Sequence, residues 1–484
     1  MKSTFSNGIV SLIAAILHQF SLYPLFMMSN IIPFMISYLY QIEKESSPDN
    51  TSSLTQNDGY FIHPIMELAM SICCFFGGMA EHYLGPRLVI IIGGICIALG
   101  DLFFIISKSL ILDFFFNIFF GIGFAIAMTA AVKNASKYFP SKAGLINALA
   151  GGFGGNLGSS FFNLVIKFFV SKGDFPNNQD NNMYKKTTAE NYKIFFYIHG
   201  GVVLGIAFIS ALLLVPYDEN KESSENIENK NENLVKEKGK IEDNNEKYKS
   251  GLKIILTHSR IYLLLFIFLF TSFLQGFIFT VGFNYGTMAH GDKTQSEIGG
   301  DEMSIIFMLT SLISSLMGPL FGFIYDKIGF KITLILIDGI SIINGLLISL
   351  AVRWGVIFYG ISIILNGCLN GGAFSMILPY VGKIYGFNYA GELYGFVVLS
   401  TGISSIISAF IYYVISYFSL DKSNNDGTYL IIFICGAVLN LFAIILSILE
   451  SNEPFDFNEN NQNDNNNESK NLLTSSTKGE SKAE

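Results

Sequence analysis

The sequence predicts an all-α membrane protein with about 12 transmembrane helices in two six-helix bundles. The chain has 484 residues, of which 51% are hydrophobic and only 14% are charged. Its apolar runs are near 20 residues long, which is the length a helix needs to cross a hydrocarbon core of about 30 Å. Two sequence features also recur in both halves of the chain, which indicates a duplication. The alternating strands of roughly ten residues that build a membrane barrel are not seen.

Taken in order, the apolar runs give twelve predicted spans. Spans 1 to 6 lie at about 8–39, 61–82, 88–107, 111–133, 143–170 and 191–215. Spans 7 to 12 lie at about 258–284, 302–325, 331–351, 354–382, 391–418 and 428–450. Span 1 is long and contains Pro24 and Pro33, so we expect it to be bent.

Both chain ends are predicted to lie in the cytoplasm. Arg87, Lys142 and Lys327 are among the bases of short loops that fall on the side of the chain ends, as the positive-inside rule requires. The two bundles would then occupy 1–216 and 257–451. The polar segments 217–256 and 452–484 have too few apolar residues to bury a core, so we expect a disordered cytoplasmic linker and tail. The linker is either a tether or a regulatory binding segment.

Two anchors support the duplication. The turn between spans 8 and 9 carries a glycine, an acid, a lysine, a glycine and a lysine: Gly322, Asp326, Lys327, Gly329 and Lys331. A degraded copy between spans 2 and 3 keeps Glu81 and Arg87, and its first glycine lies 245 positions earlier. The junctions of the fourth and fifth spans of each half begin at Lys137 and Lys383, which are 246 positions apart. Nearly equal offsets indicate two related six-helix halves.

The turn from Gly322 to Lys331 resembles the signature that major facilitator superfamily transporters carry between helices 2 and 3 and again between helices 8 and 9. In span 4, the run from Asn117 to Ala125 is similar to the family's R-x-x-x-G-x-G-x-A pattern, without its arginine. The resemblance covers roughly residues 8–450. It implies a secondary transporter that moves a small polar solute by alternating access and needs no cofactor.

Three further stretches resemble the oxalate:formate antiporter and monocarboxylate-transporter branch of that family: Ser29–Phe34, Lys137–Gly144 and Gly382–Gly386. This similarity makes a monocarboxylate or related organic anion the first expectation for the substrate. Such carriers place a base in span 8 or 11 to pair with the carboxylate, but Ser314–Gly318 and Leu399–Gly402 contain none. A neutral or zwitterionic nutrient, such as an amino acid, vitamin or sugar, is therefore the alternative substrate. A non-transporting receptor or scaffold is a further alternative.

The sequence gives no support for an enzyme. The motif G-x-x-x-x-G-K-[ST] of an attached ATPase is missing, so transport would be coupled to protons or a counter-substrate, or would be passive. A membrane-embedded transferase would need acids and histidines clustered at one membrane face, whereas the acids within the spans are scattered. We expect a monomer in the lipid bilayer, without metal and without nucleic-acid partners.

Ionisable side chains within the membrane are functional candidates, because each is costly to insert. We assign proton exchange to Glu67 or Asp101, with His63 or His18 adjusting it. His63 and Glu67 stand four residues apart, on one face of span 2. A structural hydrogen bond between helices is the alternative for each.

The candidate substrate-binding residues are histidine, amide and tyrosine side chains of spans 1, 7 and 10: His18, Gln19, Gln275, Asn284, Tyr285, Asn366, Asn370 and Tyr380. Amides also join helices to one another, so a structural role is open for these residues. The resemblance implies that the two charged turns are conformational latches. We expect Asp326 to face the start of span 5 near Ser141, where the helix dipole favours negative charge, and Glu81 to face the start of span 11 less firmly.

The tail contains one candidate targeting signal. Glu468, Leu472 and Leu473 resemble an acidic dileucine motif, which would direct the protein to an endosomal or lysosome-like membrane. Without such a signal, the plasma membrane is the expected location.

Overall fold

The computed structural model describes residues 2–23, 28–47, 52–172, 183–217, 251–287, 300–418 and 425–450. Within these residues, ten helical stretches are long and apolar enough to cross a membrane. One of them, Ile62–Ile106, contains both span 2 and span 3, and span 5 is built from shorter helical segments. The prediction of an all-α protein with twelve spans is therefore confirmed.

The first bundle contains the following elements: Lys2–Leu22 and Met28–Ser46 for span 1, Ile62–Ile106 for spans 2 and 3, Leu110–Tyr138 for span 4, four segments between Ala143 and Ser171 for span 5, and Tyr192–Leu213 for span 6. Span 1 is described as two helical stretches, and residues 24–27 between them, with Pro24, lie outside the described residues. Short helices at Gln56–Phe61 and Lys186–Ala189 lie in the outer loops.

The second bundle has one helix for each span: Ser259–Thr287, Gly300–Ile328, Phe330–Trp354, Val356–Tyr385, Ala390–Phe418 and Asn425–Leu449. Most of the predicted linker, residues 218–250, and the tail with its sorting motif at Glu468, Leu472 and Leu473 lie outside the described residues. The last part of the linker forms the short helix Gly251–Thr257. The backbone N–H of Gly251 donates to Glu392 at the start of span 11, at 2.6 Å.

Glycine is required at the two charged turns because the backbone there adopts positive φ. Gly85 separates spans 2 and 3 with φ of 76°, and Gly329 separates spans 8 and 9 with φ of 84°. A side chain is strained in this region of φ, whereas glycine is not. The shared backbone conformation explains why both copies of the turn keep this glycine although their charged residues differ.

Span 5 alternates between α-helix and the wider π-helix. Its segments are Ala143–Asn147, the π-helix Ala148–Gly155, Asn156–Val165 and the π-helix Ile166–Ser171. Gly152 in the first π-helix faces Gly318 of span 8 so closely that a Cβ on Gly152 would lie 3.3 Å from the Gly318 Cα. Small residues allow such close packing of helices in membranes. The two bundles therefore meet along spans 5 and 8.

The second contact between the bundles joins spans 2 and 11. A Cβ on Gly391 would lie 3.2 Å from the Cα of Gly78, and a Cβ on Gly402 would lie 2.7 Å from the Cα of Leu68. Glycines thus bring the two helices together at the start of span 11 and again near its middle. The space between the bundles is bounded by this pair of spans on one side and by spans 5 and 8 on the other.

Candidate substrate cavity and latches

A cavity lies between the two bundles and is lined by residues of both. Its water-accessible volume is about 70 Å³, and a single water needs roughly 10–15 Å³ measured in this way. The cavity can thus hold about five water molecules. Its polar wall contains carboxyl, amide and hydroxyl groups from both bundles: Gln19, Tyr23, Glu67, Thr129, Asn147, Asn156, Ser159, Thr310, Ser311, Ser314, Asn370, Ser375 and Tyr394.

Glu67 is the one ionisable carboxyl in the described wall of the cavity, and no lysine or arginine lines it there. The hydroxyl of Ser405, from span 11 of the other bundle, donates to Glu67 Oε2. His63 lies one helical turn away, with its Nδ1 at 3.8 Å from the same oxygen. Glu67 therefore lines the cavity, lies beside His63 of its own helix and contacts Ser405 of the opposite bundle.

Two amides present acceptor oxygens within the cavity wall. Gln19 Nε2 donates to the Met128 carbonyl at 2.6 Å, and this bond fixes the orientation of the amide. The Gln19 Oε1 and Asn370 Oδ1 atoms are buried and have no hydrogen-bond partner among the described residues. Leaving a buried acceptor without a donor costs free energy, so these oxygens favour a ligand or water that donates hydrogen bonds.

Contacts between the bundles lie on both sides of the cavity. On the outer side, Ser405 contacts Glu67, and the Ser160 hydroxyl lies 3.3 Å from the Met308 carbonyl oxygen and 3.1 Å from that of Asn156. On the cytoplasmic side, Asn147 Nδ2 donates to the Ser375 carbonyl at 2.5 Å. In this conformation the two bundles thus contact each other on both the outer and the cytoplasmic side of the cavity.

Asp326 lies at the cytoplasmic end of the contact between spans 5 and 8. Its carboxylate accepts hydrogen bonds from the backbone N–H groups of Gly144 at 3.2 Å and of Leu145 at 2.9 Å. These amides belong to the first turn of span 5, where the helix offers unpaired donors and the positive end of its dipole. Gly322 sits beside them, and a Cβ there would lie 2.6 Å from the Gly144 carbonyl oxygen.

The lysines of this turn make other contacts. Lys327 Nζ lies 4.4 Å from the centroid of the Phe323 ring. Lys331 Nζ donates to the Ile448 carbonyl, at the end of span 12, at 2.9 Å. The acid of the turn therefore contacts the first bundle, whereas its lysines contact residues of the second.

The copy of the turn in the first half is arranged differently. Glu81 is paired with Lys133 of span 4, in its own bundle, with Nζ at 3.2 Å from Oε2. Arg87 Nε donates to the Leu214 carbonyl, also in its own bundle, at 2.8 Å. A Cβ on Gly391 of span 11 would lie 3.5 Å from Glu81 Oε2, so this carboxylate approaches span 11 without a hydrogen bond to its described amides.

The structure brings Gln19, Glu67 and Asn370 to the cavity but places the other candidates elsewhere. His18 Nε2 lies 3.3 Å from the Ala127 carbonyl, and Asp101 pairs with His199. Gln275 and Asn366 are buried in the second bundle, away from the cavity wall. The side chains of Asn284 and Tyr285 lie outside the described residues.

Tyr380 lies at the cytoplasmic end of the second bundle. Its hydroxyl donates to Glu450 Oε1 at 2.9 Å, and Arg260 Nε donates to the same oxygen at 2.5 Å. Its ring stacks on Phe330 with 3.7 Å between centroids. These contacts join spans 7, 9, 10 and 12 and give Tyr380 a structural environment.

Sequence reasoning missed the hydroxyl groups of the cavity. Thr310, Ser311 and Ser314 of span 8 line it, as do Asn147 and Asn156 of span 5. The hydroxyl residues of span 8 lie at positions i, i+1 and i+4, so a search for polar stripes at helical spacing would have found them. The candidates predicted from the sequence were ionisable, amide and tyrosine side chains instead, and ionisable groups are the costliest of these in a membrane.

Twelve spans in two packed halves, with a polar cavity between them and contacts on both sides of it, form the architecture of a membrane transporter. The family model described as Major Facilitator Superfamily matches residues 25–409, which indicates a transporter and not an enzyme. The chain belongs to this superfamily.

Two solved structures show the same fold. The proton:xylose symporter XylE bound to 6-bromo-6-deoxy-D-glucose aligns with a TM-score of 0.59 and 13% identity, over 93% of this chain and 99% of that one. The nucleoside transporter NupG aligns with a TM-score of 0.60 and 12% identity, over 90% of this chain and 99% of that one. A search of curated protein sequences returned no match.

Proposed function

We propose that this transporter carries a small neutral or zwitterionic solute that donates hydrogen bonds, and that Glu67 binds the coupling proton. The observation that carries the proposal is the composition of the cavity wall. It has one carboxyl group, several amides and hydroxyls, and no lysine or arginine among the described residues. A buried carboxylate ligand would need a positive partner or several donors to replace its lost hydration.

The buried acceptor oxygens of Gln19 and Asn370 support the same choice of substrate. Hydroxyl or ammonium groups of a solute can donate to these oxygens, whereas a carboxylate can only accept. An organic anion, which the resemblance to the monocarboxylate-transporter branch suggests, is thus the second candidate. Its negative charge would face Glu67 unless that carboxyl were protonated.

Glu67 is suited to couple proton binding to movement of the bundles. It lines the cavity, and it holds the Ser405 hydroxyl of the opposite bundle on the outer side. A charged carboxylate accepts this hydrogen bond more strongly than a neutral carboxyl. Protonation would therefore weaken the contact and ease separation of spans 2 and 11 on the outer side.

The substrate class can be tested with purified protein in lipid vesicles. A thermal-shift panel of sugars, polyols, amino acids and monocarboxylates would select solutes, and radiolabelled uptake into vesicles would measure their flux. We expect saturable flux of a neutral or zwitterionic solute, unchanged in chemical form. Saturable flux of monocarboxylates alone would overturn this assignment of the substrate, and binding without flux would indicate a receptor.

Replacement of Glu67 by Gln is expected to remove the pH dependence of that uptake. In the wild type, initial uptake should be several-fold faster at an outer pH of about 6 than at about 8, because the proton is a co-substrate. In Glu67→Gln the ratio should fall to about one, since a neutral amide cannot exchange a proton. Glu190→Gln, an exposed glutamate of the same bundle, is the matched control. A Glu67→Gln protein that keeps the wild-type ratio would exclude this residue from coupling.

A further inference from the structure

A second buried acidic group lies within the first bundle, away from the cavity. Asp101 of span 3 faces His199 of span 6, with His199 Nδ1 at 2.9 Å from Oδ2 and 3.1 Å from Oδ1. Both side chains are 1% exposed. On the other edge of the same ring, Nε2 lies 3.3 Å from the backbone carbonyl oxygen of Ser21 in span 1. The imidazole therefore bridges a carboxyl group and a carbonyl group.

The protons that this arrangement needs can be counted. A carbonyl oxygen only accepts hydrogen bonds, so His199 Nε2 must carry a hydrogen to bind Ser21. The contact with Asp101 then needs one more proton, either on Nδ1 as an ion pair or on the carboxyl group, which would donate to Nδ1. Both forms have a net charge of zero and satisfy every contact.

Loss of that proton breaks the arrangement. One hydrogen then remains on the ring, so either the carboxylate or the Ser21 carbonyl faces a bare nitrogen lone pair. A negative charge also remains buried without a partner, which is costly in a medium of low polarity. The geometry is therefore that of an aspartate and a histidine sharing one bound proton.

Aromatic rings surround the imidazole of His199. The elements packed around the His199 ring contribute Phe120 from span 4, Phe162 from span 5 and Phe195 from span 6, with centroids 5.6, 5.1 and 5.8 Å away. His18, the titratable side chain of span 1 in this region, is directed to the Ala127 carbonyl.

The carbonyl that His199 binds belongs to a helix end. The helix Lys2–Leu22 ends one residue after Ser21, and carbonyls in a last helical turn have no partner within their helix. The Ser159 hydroxyl donates to the carbonyl of Tyr23, just beyond this helix end, at 2.9 Å. Gln19 and Tyr23 from this same end line the cavity. A change in the bonding of this helix end would therefore change the cavity wall.

We propose that Asp101 and His199 form a proton-binding site, distinct from Glu67, whose occupancy holds the end of helix Lys2–Leu22 in place beside the cavity. The proton lets His199 donate to Ser21 while it stays bonded to Asp101. Release of the proton frees this helix end, and Gln19 and Tyr23 can then move. The site goes beyond the proposed function, because it uses neither the cavity carboxyl nor a transported solute.

The test measures the apparent melting temperature of the full chain in lipid nanodiscs between about pH 6 and pH 9, without any solute. The native state holds the proton, so its stability is complete at low pH and falls as pH rises through the titration of the pair. The wild type should lose about 1 °C for each pH unit in that range relative to Asp101→Asn, which holds no such proton. The melting temperature of the double variant Asp101→Asn with His199→Gln should depend on pH as that of Asp101→Asn does. The double variant replaces Asp101→Asn in the comparison with the wild type if the single variant does not fold.

Ser159→Ala is the matched structural control. It removes a donor from the same helix end without removing a titratable group, so its melting temperature should stay below that of the wild type by the same amount at every pH. The proposal is overturned if Asp101→Asn runs parallel to the wild type across the pH range. It is also overturned if Ser159→Ala changes the pH profile as Asp101→Asn does. Neither outcome bears on Glu67 or on the substrate.

Discussion

Replacement of Asp326 by Asn should slow transport roughly tenfold at equal surface expression, because charged hydrogen bonds contribute about 1.5–3 kcal/mol each. The carboxylate of Asp326 accepts from two amides at the start of span 5, and both bonds join one bundle to the other. An asparagine can accept only with one oxygen and carries no charge to meet the helix dipole. The cytoplasmic side would then close less firmly, and the transporter would complete fewer cycles.

Glu81→Gln is the matched comparison, and we expect it to slow transport less than Asp326→Asn does at equal surface expression. The described partner of Glu81 is Lys133 in the same bundle, so loss of the Glu81 carboxylate removes no described hydrogen bond between bundles. Lys133 also remains within electrostatic reach of Glu392 on span 11. Initial uptake rates, normalised to surface protein, would rank the two variants. A larger loss in Glu81→Gln than in Asp326→Asn would reverse our assignment of the stronger latch.

Valine substitutions at two glycines between the bundles should bias the transporter in opposite directions. A Cβ on Gly322 would lie 2.7 Å from the Ala148 Cβ, so Gly322→Val prevents close approach on the cytoplasmic side. A Cβ on Gly402 would lie 2.9 Å from the Glu67 carbonyl oxygen, so Gly402→Val prevents close approach of spans 2 and 11 on the outer side. Overpacking costs about 1–3 kcal/mol, which shifts a two-state equilibrium by at least roughly fivefold.

Cysteine labelling reports this shift without a known substrate. In a background whose native cysteines are replaced by Ala, Ser314→Cys in the cavity would react with a membrane-impermeant maleimide. Gly322→Val should accelerate labelling from the cytoplasmic side at least about fivefold, and Gly402→Val should do so from the outer side. Gly339→Val in span 9 is the control, because nothing lies within 4 Å of a Cβ there. Equal acceleration from both sides by either variant would contradict the assignment of the two closures.

The fold could be predicted from the sequence because few backbone conformations satisfy their own hydrogen bonds in lipid. Apolar runs of bilayer length must be helices, and the recurrence of the charged turn after 245 positions indicated two halves. The positive φ of Gly85 and Gly329 shows why that turn recurs: the hairpin needs a glycine at this point. The division of span 5 into α and π segments was not predicted, since no simple periodicity distinguishes the two.

The candidate site was only partly accessible to the same reasoning. The cost of burying polar groups drew attention to Glu67, Gln19, Asn370 and Asp101, but it gives no partner for any of them. His63 and Glu67 are close because four residues make one helical turn, which is a local rule. The contacts of Glu67 with Ser405 and of Asp101 with His199 join residues 338 and 98 positions apart, beyond the reach of any local rule.

The sequence by itself determined that this chain crosses the membrane as paired helical bundles with charged turns between them, because hydrophobic length and helix geometry act locally. Tertiary structure alone decided which polar groups face the cavity, which close it and which share a proton. Each of these roles depends on the oxygen or nitrogen atom that another helix presents within about 3 Å. Helix packing sets that distance, and glycines such as Gly152, Gly322 and Gly402 set how closely the bundles approach.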